Sequence, residues 1–279
     1  MSRIEEPAAR LADLSDDLAL ALRLADAADA VAMARFDAAD LRIDTKPDRT
    51  HVTEADLETE RAIRRILDAE RPHDAILGEE YGASDDDASI PGSRRWVIDP
   101  IDGTHNYMRG IPVWATLIAL TVDGVPQVGV VSQPALGRRW WASTGQGAWT
   151  TTTSGETRRI HVSGIDDVAA SSISFQSIEQ WDDVDLLPTL ERLARAVWRD
   201  RGYGDALPYM WLAEGRLELV AEFDVKEYDI AAIAPIVREA GGRFTAFDGT
   251  DRLDALSSLA TNGVLHDAFL ALLHEEGAP

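Results

Sequence analysis

Trp96-Val97-Ile98-Asp99-Pro100-Ile101-Asp102-Gly103-Thr104 is the stretch on which the reading of this chain turns. Its first three residues form a short apolar run of β-formers, and Asp99-Pro100 is expected to break it, because proline cannot donate to a sheet ladder. Two carboxylates, Asp99 and Asp102, are thereby delivered at a strand end. Gly103-Thr104 then opens a helical turn, and oxygen ligands beside free backbone N–H groups suit hard cations held together with a phosphate. Asp-Pro and Asp-Gly pairs also make ordinary turns, so the reading depends on the company this stretch keeps.

That company is acidic. Ala75-Ile76-Leu77 is a second short strand ending in Gly78-Glu79-Glu80. Leu217, Leu219, Ala221 and Phe223 alternate as a half-buried strand, and Glu222, Asp224, Glu227 and Asp229 cluster about its end. A fold that gathers Glu79, Asp99, Asp102 and Asp229 needs cations to offset their repulsion and desolvation. An all-oxygen set selects Mg2+ or Mn2+ over zinc. The chain has no cysteine, and its six histidines, His51, His73, His105, His161, His266 and His274, show no paired ligand spacing.

Composition narrows the class. With 279 residues and 45% apolar content the chain can bury a real core, as one large domain or two packed halves. A formal charge of −22, from 27 basic and 49 acidic residues, argues against nucleic acid or anionic lipid as partners. No apolar run approaches the roughly 18 residues of a membrane span. Met1 to Asp17 is acidic and has no apolar signal region, so a cytoplasmic location is expected. The missing cysteines exclude disulfides, thiolate metal sites and a cysteine nucleophile.

Along the chain, apolar residues at helical spacing predict a long amphipathic helix over 11–36. Asp40 to Asp56 reads as a polar, Pro-bearing loop able to carry mobile active-site groups. Thr53, with Asp56 three residues on, caps the next helix, in which Asp56 is a first-turn acid. The acidic stretch 83–93 is a solvated excursion. Ile111 to Val122 reads as a continuous strand, turned by Asp123-Gly124 into Val125 to Ser132, with 139–142 and 147–149 as further strands of one antiparallel sheet whose tryptophans belong to the core. The polar segment 150–156 marks a junction between halves 1–150 and 151–279. Beyond it come a strand at 173–175, helices over 186–198 and 208–214, and a helix over 230–240 whose Pro235 implies a late start or a kink. A small strand at 257–261 and a helix over 265–273 complete the chain.

Gly78-Glu79-Glu80, the Trp96 to Thr104 stretch, and Tyr228-Asp229-Ile230-Ala231-Ala232 leading to Glu239-Ala240-Gly241-Gly242 resemble, in order and spacing, the signatures of the inositol monophosphatase superfamily. The likeness runs from about Leu18 to His266. Within the superfamily, Asp44 to Asp48, His105 to Leu120 and Val197 to Asp205 look most like the bacterial histidinol-phosphate phosphatases. The resemblance implies a layered αβαβα sandwich, an N-terminal α+β half and a C-terminal α/β half sharing one site, and a homodimer sensitive to lithium. It implies Mg2+-dependent hydrolysis of L-histidinol phosphate in histidine biosynthesis, with inositol 1-phosphate or another small sugar phosphate as the alternative. A non-catalytic relative would have lost one of Glu79, Asp99, Asp102, Thr104 or Asp229, and all are present.

Carried over by residue, the resemblance assigns one Mg2+ to Glu79, Asp99 and the carbonyl of Ile101, and a second to Asp99, Asp102 and Asp229. A third, weaker ion would lean on Glu79, which counts with Thr104 and Asp56 as catalytic, and Mn2+ could substitute. Thr104, with Asp56 behind it, would orient and deprotonate the attacking water, and Gly103 and Thr104 would offer N–H groups to the phosphate, with no phosphoenzyme. Asp205, Glu222 and Asp229 would meet the leaving group, carboxylates suiting the ammonium and imidazole of histidinol phosphate. Arg201 would reach the phosphate or brace Asp205, and Asp205 could equally be a helix N-cap. Two residues depart from the family's pattern: Tyr228 stands where Trp is usual, and His105, where Lys or Thr is frequent, is expected to face water.

Overall fold

The computed structural model describes residues 10–47, 50–84 and 92–275. Helix α1 (Arg10–Arg35) leads through paired strands β1 (Ile43–Thr45) and β2 (His51–Thr53) into α2 (Glu54–Glu70), so part of the segment expected as a loop is strand. Thr53 caps α2 as its spacing predicts. Its side chain accepts from the N–H groups of Ala55 and Asp56, while Asp56 accepts from the Thr53 N–H.

An eight-stranded sheet follows: β3 (Ala75–Gly78), β4 (Gly82–Ala83), β5 (Arg94–Asp102), then α3 (Thr104–Met108), β6 (Ala115–Val122), β7 (Val125–Gln133), β8 (Arg138–Ser143), β9 (Ala148–Thr151) and β10 (Thr157–Ile160), in the order β10-β9-β8-β7-β6-β5-β3-β4. β3 and β5 are parallel, and the other pairs are antiparallel. The polar segment 150–156 lies at the turn of the β9–β10 hairpin, so the first sheet continues to Ile160. The acidic run expected as a solvated excursion falls largely on 85–91, outside the described residues.

The rest of the chain builds a five-stranded sheet and its helices: β11 (Ser172–Ser174), α4 (Ile178–Asp183), α5 (Leu187–Ala196), β12 (Arg199–Arg201), α6 (Leu207–Ala213), β13 (Leu219–Phe223), α7 (Glu227–Ile230), α8 (Ile233–Glu239), β14 (Arg243–Thr245), β15 (Ser257–Thr261) and α9 (His266–His274), with strand order β12-β11-β13-β15-β14. Alternation along β5 shows how the layers stack. Trp96 and Ile98 join Leu20, Leu24, Ile63 and Leu67 of α1 and α2. Val97 faces the other way, into a cluster with Tyr209 and Met210 of α6, Ile233 and Ile236 of α8, and Val220 and Ala260 of the second sheet. The far face of that sheet, with Ile173, Leu219 and Leu259, packs on Trp181, Leu190 and Phe269. This is the αβαβα sandwich expected. β13 is buried along its whole length rather than on one face, because helices cover both sides of its sheet.

Three local features differ from, or refine, the expectation. β5 does not stop at Asp99-Pro100: it continues to Asp102 through a register shift, with Asp99 opposite Leu117 and Asp102 opposite Ala115. One extra residue thus bulges out where Pro100 lacks an N–H, and the Thr116 hydroxyl donates to the Pro100 carbonyl at 2.8 Å. In a regular strand residues three apart point to opposite faces; the bulge turns Asp99 and Asp102 to the same side. The strand expected from Ile111 begins only at Ala115, because the Asn106 amide claims the Val113 carbonyl at 2.8 Å. Pro235 sits in the first turn of α8, where a missing N–H costs nothing, so the late start is what occurs.

Gly129 of β7 lets the start of α8 come close to the first sheet. A Cβ there would lie 2.1 Å from the Ala232 carbonyl oxygen and 2.7 Å from Pro235 Cγ. The residues leading into α8 therefore lie flush on the first sheet.

Candidate active site

The carboxylates assigned to metal, with Asp205, meet in one cavity of about 180 Å3 where the ends of β3 and β5 face α7 and the approach to α6, lined by Thr50, His51, Glu79, Asp99, Ile101, Asp102, Gly103, Thr104, His105, Asp205 and Asp229. Glu79 follows β3 directly, its N–H donating to the Ile98 carbonyl at 3.1 Å. It can stand there because Gly78 has no side chain: a Cβ at 78 would overlap the Glu60 carboxylate at 1.9 Å. Buried Glu60 in turn accepts the Glu80 N–H at 2.8 Å, fixing the chain just past Glu79.

Asp99, 2% exposed, accepts the Ile101 N–H at 3.0 Å, and Asp102 accepts the Ala206 N–H at 2.7 Å ahead of α6. Asp229 accepts the Lys226 N–H at 2.6 Å within the first turn of α7. An ion pair between Arg95 of β5 and Glu227 of α7 clasps the elements that carry these acids. Burial raises Asp99 well above the usual carboxylate range, with Glu79, Asp102 and Asp229 adding to it. Burial together with Asp205 and Asp229 does the same to Asp102, and burial pushes Asp229 up to about 7.

Such a set fits a hard cation. The donors are all oxygen, buried or half-buried, mutually repelling, and turned into a shared cavity. Among the described residues no three His, Asp or Glu side chains stand close enough to form a closed ligand set by themselves. Lys46, following β1, donates to Glu79 and Glu80, each at 2.8 Å; burial works against its charge, and these two hydrogen bonds more than restore it.

Thr104 and Asp56 form the second part of the site. Asp56, fully buried, gives one oxygen to the helix cap, accepting the Thr53 N–H at 2.8 Å and hydroxyl at 2.6 Å. Its other oxygen lies 3.3 Å from the Thr104 hydroxyl, which is also 3.2 Å from the Ile101 carbonyl. The cap and the contact with Thr104 are thus served by different oxygens of one carboxylate. A hydroxyl has a single proton, so Thr104 donates to this acceptor pair and keeps its lone pairs for a water. Burial raises Asp56 to about 6, within reach of a working pH.

On the leaving-group side, Asp205 reaches the cavity with a left-handed backbone, φ 55°, and accepts from the Asn106 amide at 2.7 Å. It is not the N-cap of α6, a position taken by Ala206 with no side-chain bond. Burial raises it to about 6. Glu222 stands on β13 behind the cavity rather than in its lining, accepting from Tyr209, which also shares a hydrogen bond with Ser258. Glu222 Oε1 is buried without a protein partner, and burial lifts this acid to about 8. Arg201 is not brought to the site: it is exposed on β12 and donates to the Asp200 carbonyl at 2.5 Å. Tyr228 packs partly buried against the α6/α8 cluster. His105 is exposed, but it also lines the cavity and meets His51.

The sequence profile of the inositol monophosphatase family matches residues 13–278. The chain belongs to the inositol monophosphatase family. It is therefore a phosphatase, a phosphomonoester hydrolase, in a family whose enzymes are metal-dependent, typically on Mg2+. A histidinol-phosphatase of Mycobacterium tuberculosis is 49% identical over 259 residues, covering 93% of this chain and 98% of that protein. A histidinol-phosphatase of Streptomyces coelicolor is 49% identical over 267 residues, 94% of this chain and 98% of that one. Among solved structures of the family, an inositol monophosphatase from Anabaena superposes with a TM-score of 0.79 at 28% identity, covering 95% of this chain and 98% of the other.

Proposed function

We propose that this phosphatase hydrolyses L-histidinol phosphate to L-histidinol and phosphate. The observation that carries the reading is Asp205, a carboxylate facing the cavity from the second half of the chain and held there by Asn106. It gives the cavity an acidic wall beyond the acids a metal cluster needs, with Glu222 standing behind that wall. An ammonium and an imidazole are met by charge-assisted hydrogen bonds on such a wall, whereas inositol offers only hydroxyls. The likeness at 49% to two histidinol-phosphatases supports the same substrate.

In this reading Glu79, Asp99, the Ile101 carbonyl, Asp102 and Asp229 hold two to three Mg2+, with Mn2+ able to replace it. When bound, the ions supply positive charge that polarises water and the phosphoryl oxygens. Thr104 accepts from the attacking water and passes its own proton towards Asp56, which must be ionised to receive it. The N–H groups of Gly103 and Thr104 steady the phosphoryl group, and Asp205 orients the departing alcohol. A cytoplasmic homodimer inhibited by lithium completes the proposal.

The test compares kcat/KM for histidinol phosphate and inositol 1-phosphate in Mg2+, with and without lithium. A preference of about a hundredfold for histidinol phosphate is expected, some 2.7 kcal/mol of transition-state binding. Asp205→Ala should cut turnover of histidinol phosphate at least about tenfold more than that of p-nitrophenyl phosphate. Equal losses would make Asp205 a structural residue, and a preference for inositol 1-phosphate would overturn the substrate while leaving the metal site in place.

A further inference from the structure

Two histidines on the rim of the catalytic cavity have no part in the chemistry above. His51 comes from β2 and His105 from α3, and their rings meet edge to face, centroids 5.2 Å apart at an interplanar angle of 78°. His51 Nδ1 lies 3.3 Å from His105 Nε2, so one ring donates and the other accepts. Both line the cavity, and every other titrating side chain in its lining, from Glu79, Asp99 and Asp102 to Asp205 and Asp229, is a carboxylate. The two imidazoles are therefore the side chains of that lining able to carry positive charge.

An acidic cavity that must admit a phosphate dianion has a problem of charge. Cations offset the carboxylates buried at the bottom, but the rim is where the dianion arrives and where free phosphate departs. We propose that His51 and His105 act as one unit that binds the phosphoryl group, of the ester and of released phosphate alike. Their mutual hydrogen bond fixes how both rings lie and turns His51 Nε2 and His105 Nδ1 to the ligand; with one positive charge on the pair both carry N–H groups, the state a bound phosphate dianion favours. His105 directly follows Thr104, on the turn assigned to the phosphoryl group, while the leaving group is assigned to Asp205 and Glu222 from the second half. The pair also joins β2 to α3, so a phosphate held by both rings ties that strand to the site. This inference rests on the phosphatase chemistry above and not on which alcohol leaves.

The experiment uses the full chain loaded with Mg2+. Orthophosphate binding is measured by calorimetry, and phosphate inhibition is measured against turnover of p-nitrophenyl phosphate. His51→Ala and His105→Ala should each weaken phosphate about tenfold, with the KM for the aryl ester rising more than kcat falls. Because the rings act as a unit, the double variant should lose only slightly more than either single one. His105→Lys, which keeps a cation, should hold phosphate within about threefold of the parent, which a merely structural role would not produce. Inhibition by L-histidinol should not move. Unchanged phosphate affinity in both alanine variants, an equal loss in His105→Lys, or a shift in L-histidinol inhibition in place of phosphate inhibition would each overturn the proposal. Since the probes are orthophosphate and an aryl ester, failure to turn over histidinol phosphate would count against the substrate and not against the pair.

Discussion

Asp99→Asn is expected to lower kcat/KM about a thousandfold or more, equivalent to about 4 kcal/mol of transition-state stabilisation, while the chelator-treated protein becomes more resistant to heat. Both effects come from the same burial. Asp99 is 2% exposed and lies among Glu79, Asp102, Asp229 and Asp56, all of which raise its pKa further. A folded-state value above the unfolded one means that ionisation opposes folding: the penalty is absent below the unfolded value near 4 and grows as pH rises towards the folded one. An amide of the same shape removes that penalty, so the metal-free variant gains stability at neutral pH. It also removes the acid assigned to both metal positions, so the ions lose a bridging charge. Melting curves in EDTA and calorimetric Mg2+ titrations read the two sides separately. A variant with full activity, or one that melts lower without metal, would mean that Asp99 is a structural turn residue and not a bridging ligand.

Thr104→Val is expected to cost about a hundredfold or more in kcat with KM little changed, the usual scale for losing a group that handles a proton in the transition state. Valine preserves the shape and cannot pass a proton to Asp56 across the present 3.3 Å contact. Asp56→Asn gives an independent view of the same step. Its oxygen can keep the cap to Thr53 while its amide turns a donor towards Thr104, so the fold survives and the relay has the wrong polarity. In the parent, kcat/KM at saturating Mg2+ should fall as pH drops through about 6, since Asp56 must be ionised to accept. A cation on Glu79 removes one of the charges that raise Asp56 and moves this limb somewhat lower. If Asp56→Asn retained the parent's acidic limb and rate, Asp56 would be a helix cap and nothing more.

The acids assigned to metal were legible because each carries a local sign. Gly78 precedes Glu79, Pro100 separates Asp99 from Asp102, and Asp229 opens a short helix before Pro235. Turn-formers and strand-formers at such spacing fix chain direction within a few residues, whereas the layered sandwich was implied by the resemblance to the family. What stayed hidden depends on partners far apart in sequence. Asn106 holding Asp205, Tyr209 holding Glu222, Lys46 on Glu79 and the pairing of His51 with His105 have no local signature. Arg201 shows the reverse: a basic residue near the right motif, expected to reach the phosphate or brace Asp205, is exposed on its strand and bonds the Asp200 carbonyl instead. The bulge in β5 lies between these cases, since Pro100 announced an interruption while the choice of continuing the strand was made by Thr116 across the ladder.

Gly129 has a consequence for how this enzyme can vary. It lies on a strand with no acid at the site, yet it fixes how near the Ala232 carbonyl, and with it the start of α8, can come to the first sheet. Asp229 stands three residues earlier on the same short stretch of chain. A methyl group at 129 would act as a shim: it would leave every proposed metal ligand in place by identity and widen the gap between Asp229 and the acids of the first sheet. The tolerance of the proposed metal centre is thus machined into the hydrophobic interior, and an inventory of catalytic residues would miss the position that sets its gauge.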